Sequence, residues 1–179
     1  MKLIHLIATF GFLLTFVAYL SRFPEALHYK HPTVIIGTLL LLSGYGMLIL
    51  KEIKDNDKKV TPEYTKKLDN YQFLGYLLLS IFFIGSYVIP LNFYVRFYDI
   101  FAAFGFILII IAKFNKNLLS LKWGLMVIIL YYLFGGLSKI GESGFDDICL
   151  LIGRLLLTIA YSYKLLQFFP DFIKQNKLY

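Results

Sequence analysis

Arg154 stands about two turns inside an apolar run, where an isolated charge costs several kcal/mol. Its type and depth demand a chemical explanation. Asp147, Arg154, Thr158 and Tyr161 follow one another at spacings of 7, 4 and 3, which places all four on one face of a helix. Such a polar stripe is expected to turn inward. Arg154 then has Asp147, Asp146, Asp99 and Glu142 as candidate partners, all expected near the same end of a bundle. Arg96 and Asp99, at i,i+3, form a second candidate pair near that end. Intramembrane charge of this kind marks either a ligand or ion site or a structural ion pair, and the sequence alone leaves both readings open.

A second group of chemistry-bearing residues is Glu25, His28 and His31, at i,i+3,i+6 between Pro24 and Pro32. On two helical turns one carboxylate and two imidazoles would share a face, offering ligand types that suit zinc, iron or haem. The spacing is generic, so an ordinary polar loop explains it as well. Ser43-Gly44-Tyr45-Gly46 is similar to the filter sequence of potassium channels, but it lies inside one continuous apolar run, where close helix packing is the better explanation. Tyr131, Tyr132, Tyr161 and Tyr163 could line a pocket, although aromatic belts account for most membrane aromatics. The sequence contains no glycine-rich phosphate loop, nucleophile elbow, HExxH or CxxC, which argues against a hydrolase, kinase or nucleotide-binding protein of soluble type.

The elements that must carry these residues are read from composition. Of the 179 residues, 59% are hydrophobic and 16% charged, against about 45–50% and about 25% in soluble domains. That excess has to face lipid. Six apolar runs approach the ~20 residues needed to cross a bilayer, at 3–20, 33–50, 71–89, 93–112, 119–137 and 148–169. The expected fold is therefore an all-α bundle of six transmembrane helices in a single membrane domain. A cytoplasmic hairpin loop is expected at 51–70 and an interfacial tail at 170–179. Thr61-Pro62-Glu63 reads as the start of the third helix, Asp146 and Asp147 as acids preceding the sixth, and Pro170 as its end. The first run is longer than the core of a cleavable signal, so it is expected to remain as a helix.

Charge sets the expected orientation. The net charge is +7, and thirteen of the eighteen Lys and Arg collect on the face that holds both termini, four on the other, with Arg154 left inside a span. By the positive-inside rule both termini are cytoplasmic, in a multi-pass protein of the cell membrane. The same distribution removes the case for nucleic acid, because no basic stripe with interleaved aromatics lies outside the spans. The single Cys149 excludes a disulfide framework within the chain. Small residues Ala8, Gly11, Thr15 and Ala18 at 3,4,3 spacing predict a helix-packing face on the first helix.

Three fragments are similar to the HemJ and CopD-type family of small bacterial membrane proteins. They are the run IHLIATFGFLLTFVAYLSRF, with His5 near its start and Arg22 near its end; HPTVIIGTLLLLSGYG, opened by Pro32; and LKWGLMVIILYY, led by Lys122. The resemblance covers about a third of the chain; two further spans, 71–112, separate the fragments, and Leu133 stands where the family has a histidine. It implies a link to haem biosynthesis, with His5 as a candidate axial ligand; His28, His31 and Glu25 are haem or metal candidates by their own spacing.

Three functions follow as expectations. The first is a small transport, channel or ligand-binding protein whose polar site lies near the external face and uses Arg154, Asp147, Asp99, Arg96, Glu142 and Tyr161. The second is a haem- or redox-linked membrane enzyme or its assembly partner. The third is a non-catalytic subunit that docks on a membrane protein partner or on its own copies, since its loops are short and its small-residue stripes suit helix packing.

Overall fold

The structure is a computed structural model that describes residues 2–21, 31–54, 62–88, 97–115 and 117–168. Among the described residues it contains six α-helices: α1 (Lys2–Ser21), α2 (His31–Lys54), α3 (Pro62–Val88), α4 (Phe97–Asn115), α5 (Leu118–Leu137) and α6 (Phe145–Leu166). Each arises from one of the apolar runs. Helices α1, α2, α5 and α6 are long and apolar enough to cross a membrane, while the described parts of α3 and α4 carry shorter apolar segments, Asn70–Ile84 and Ile100–Asn115. The fold is thus an all-α bundle of a multi-pass membrane protein.

Of the 51–70 segment expected as a hairpin loop, the described residues 51–54 and 62–70 are helical: α2 runs on to Lys54, and α3 begins at Pro62, where Thr61-Pro62-Glu63 places its start and where the missing N–H costs nothing in the first turn. Helix α6 starts at Phe145 with Gly144 as its cap, so Asp146 and Asp147 lie within its first turn rather than before it, where they still oppose the positive end of the dipole. Arg22, Glu25, His28, Arg96, Pro170 and the 170–179 tail lie outside the described residues, as do the side chains of His31 and Asp99.

The helices form a closed ring in chain order. Each packs on its two neighbours in sequence, and α6 closes the ring on α1. Successive helices run antiparallel, and large apolar side chains such as Phe10, Ile36, Ile81, Phe104, Leu130 and Ile159 point outward. In water that surface would be untenable; in lipid it is the expected one. The inner face is a core of Phe12, Leu41, Phe83, Phe106, Leu125 and Ile128 with five buried tyrosines among the described residues.

Three of the six seams are built alike. A Cβ on Gly11 would meet the Gly153 carbonyl oxygen at 3.0 Å, and one on Gly153 would meet that of Gly11 at 2.9 Å. Gly37 and Gly75 face each other in the same manner across α2 and α3, as do Gly105 and Gly124 across α4 and α5. Without a hydrophobic force between helices in lipid, close backbone approach of this kind is what holds neighbours together. The ring is therefore three glycine-sealed pairs, α1/α6, α2/α3 and α4/α5.

The short link between α4 and α5 is held by Asn117, whose Oδ1 accepts from the backbone N–H of Leu119 at 2.9 Å and of Ser120 at 3.3 Å. Asn117→Ala is expected to cost about 1 kcal/mol and to lower the unfolding temperature by about 2–4 °C, measurable by thermal denaturation in detergent.

Candidate functional site

The polar stripe of α6 does turn inward. Arg154 is only 8% exposed and Tyr161 1%, which places both in the bundle interior. The Arg154 Nη1 donates a hydrogen bond to the Gly135 carbonyl oxygen at 2.7 Å, and its guanidinium carbon lies 5.6 Å from the centre of the Tyr131 ring. A charge-assisted hydrogen bond and a cation–π contact together fix its orientation. Gly135 leaves room for this seat, since a Cβ there would lie 2.7 Å from Nη1 and the guanidinium would have to shift. The Thr158 hydroxyl donates back to the Arg154 carbonyl at 2.9 Å within its own helix, so this member of the stripe serves the backbone.

The candidate partners of Arg154 fall in different places. Asp147 forms an ion pair with Lys139 at 2.6 Å, both side chains being largely buried at the α5–α6 end of the bundle. Glu142 is exposed in the turn between those helices, where Gly141 takes a φ of 92° that other residues rarely adopt. Asp99 belongs to the first turn of α4, and α5 stands between α4 and α6 in the ring.

From Arg154 a file of aromatic and polar side chains leads toward the opposite end. Tyr131 neighbours Tyr132, with ring centres 5.2 Å apart, and Tyr132 stacks on Tyr161 at 5.8 Å. The Tyr161 hydroxyl meets the Tyr76 hydroxyl at 2.9 Å, and Tyr76 meets Tyr45 at 3.2 Å. Helices α2, α3 and α6 each contribute one member of this hydroxyl chain. Tyr45 packs against Phe12, and the His5 ring lies 6.3 Å from it. There the file reaches a crevice of about 60 Å³ lined by Ile4, His5, Ala8, Tyr45, Ala160, Lys164 and Gln167, at the end of the bundle that carries the start of α1.

That crevice does not fit a haem. Sites for cofactors and drug-sized ligands occupy about 300–1,000 Å³, whereas this space has the volume of about two water molecules. Among the described residues no group of three or more His, Cys, Asp or Glu is arranged to hold a metal ion. His28 and Glu25 lie outside them.

The sequence reading named Arg154, Tyr161, Tyr131 and Tyr132 but missed Tyr45 and Tyr76 as site residues. A usable signal was present on α3, where Tyr76 and Ser80 stand four apart in an apolar run and share one face; both are buried, and the Ser80 hydroxyl donates to the Tyr76 carbonyl at 2.8 Å. For Tyr45, inside the Ser43–Gly46 stretch, only the ring order of the helices shows what it faces.

The ring of antiparallel helices with a buried arginine and a tyrosine chain defines a polytopic, helical membrane protein. No family model matches the chain, and no curated protein and no solved structure is significantly similar to it.

Proposed function

We propose that the protein is a six-span membrane protein with cytoplasmic termini that binds and moves a small anionic solute at a site built around Arg154. The observation that carries this reading is the guanidinium itself, buried inside a span and aimed by Gly135 and Tyr131 toward the end where α5 stops. Arginine keeps its charge at any depth, and its planar fork suits carboxylate, phosphate and similar groups. Lys139 and Asp147 stand at the same end and form the outer edge of the site. Phe12, Phe83 and Phe106 fill the interior, which supports a carrier whose helix pairs must shift over a permanently open pore.

The test is thermal unfolding of the purified protein with chloride, sulfate, phosphate and succinate. An anion present at ten times its Kd adds about 1.4 kcal/mol, or about 3–6 °C for a chain of this size. Arg154→Lys keeps the charge but loses the fork and is expected to reduce that shift by more than half, as the planar geometry would require. Gly135→Ala, which leaves Arg154 in place but crowds its head, is expected to do the same. No shift with any of the four anions, or equal shifts in both variants, would reject the site.

A further inference from the structure

We propose that Tyr45, Tyr76 and Tyr161 form the gate through which a solute reaches Arg154 from the face that carries the termini. The inference rests on the transport reading above and assigns the entrance of that same site. The crevice at His5, Ala8, Ala160 and Lys164 lies where the α1/α6 pair meets α2, and Tyr45 forms part of its wall. Behind Tyr45 the hydroxyls of Tyr76 and Tyr161 follow at 3.2 and 2.9 Å, and the second of these bonds crosses from the α2/α3 pair to the α1/α6 pair. Beyond them Tyr132 and Tyr131 lead by ring contacts to the guanidinium.

The boundaries of the ring differ in how they can part. Within a pair, glycine backbones meet at their carbonyl oxygens, so each pair moves as a unit. Between the α1/α6 and α2/α3 pairs the inward contact is made by hydroxyls and rings instead. Phe12, Phe83 and Phe106 show that this core accepts plain phenyl rings, so packing alone does not call for three hydroxyls, whose burial is costly unless each is bonded. A boundary that opens to water has a use for them. When the pairs separate, water replaces each lost hydroxyl partner and little is lost in the exchange, whereas phenyl rings would present only apolar surface. The crevice has room for about two waters to begin that exchange. Bonded to one another the tyrosines shut the route, and hydrated they hold it open.

The experiment uses the full chain with Cys149→Ser, which removes the single native thiol, and Ser80→Cys as reporter. Ser80 is buried one turn beyond Tyr76 on α3, so a reagent entering from the termini face meets the tyrosines first. In membrane vesicles of either orientation, distinguished by the accessibility of a C-terminal tag, labelling by a membrane-impermeant methanethiosulfonate is timed from each face. Tyr76→Phe keeps the ring but takes from the Tyr161 hydroxyl its partner at 2.9 Å. It is expected to raise labelling from the termini face about tenfold, the effect of one lost hydrogen bond on the closed form. Replacing all three tyrosines by phenylalanine removes the buried hydroxyls themselves and leaves nothing to hydrate, so it is expected to lower labelling from that face below the native rate. Opposite changes mark a gate, since loss of a merely structural cluster would loosen the fold in both variants. Labelling that is unchanged in Tyr76→Phe, that rises in both variants, or that rises equally from the two faces overturns the gate. The anion-induced thermal shift, measured on the same proteins, reports on Arg154 separately. If it persists alongside one of those results, the Arg154 site stands without this gate; if it is absent while labelling changes in opposite directions, the gate stands and the anion is rejected.

Discussion

Arg154→Leu is expected to fold, to reach the membrane at native yield and to unfold within a few degrees of the native protein. The substitution removes a charged hydrogen bond to the Gly135 carbonyl, worth about 1.5–3 kcal/mol, and a ring contact worth about 0.5–2 kcal/mol. Against this, leucine relieves the several kcal/mol that keeping a charge inside the span costs. Asp147 keeps its ion pair with Lys139. The two sides nearly cancel. Yield after membrane extraction and the unfolding temperature check this directly.

The largest loss of stability is expected at a glycine seam. In Gly124→Ala the new Cβ would lie 3.0 Å from the Gly105 carbonyl oxygen and 3.0 Å from the Ile109 backbone nitrogen, so α4 and α5 must move apart. Backbone atoms cannot rotate away as a side chain does. Overpacking of this kind costs about 1–3 kcal/mol, or about 2–12 °C in unfolding temperature. Gly46→Ala is the matched control, because a Cβ there meets nothing within 4 Å. It is expected to stabilise α2 by about 0.5–1 kcal/mol, the usual gain of alanine over glycine in a helix. Opposite signs from one chemical change would show that the Gly105–Gly124 contact holds the pair together.

Much of the architecture was legible in the sequence because hydropathy reports burial in lipid directly. Each apolar run yielded one helix, and the 7, 4 and 3 spacing put Arg154 and Tyr161 on the inward face of α6. Partner choice was not legible, since it depends on ring order and on side-chain direction along antiparallel helices. Lys139 engages Asp147 because the turn at Gly141 folds the end of α5 back beside the first turn of α6. The hydroxyl chain was hidden for a similar reason. Tyr45, Tyr76 and Tyr161 lie far apart in sequence and meet only when α6 closes the ring on α1. The small-residue spacing put Gly11 on a packing face, but the glycine opposite it, Gly153, was not legible, because the repeating unit is a helix pair and one of the three pairs joins the first helix to the last.

The most direct test of the Arg154 site is a side-by-side thermal unfolding of the native protein and Arg154→Leu, each with and without chloride, sulfate, phosphate and succinate. The expected result has two parts in one experiment: similar unfolding temperatures without anion, and an anion-induced rise of about 3–6 °C that is present in the native protein and absent from the variant. A variant that fails to fold would show Arg154 to be a structural strut. One that folds and keeps the full rise would place the anion elsewhere, and either outcome contradicts a recognition role for the buried guanidinium.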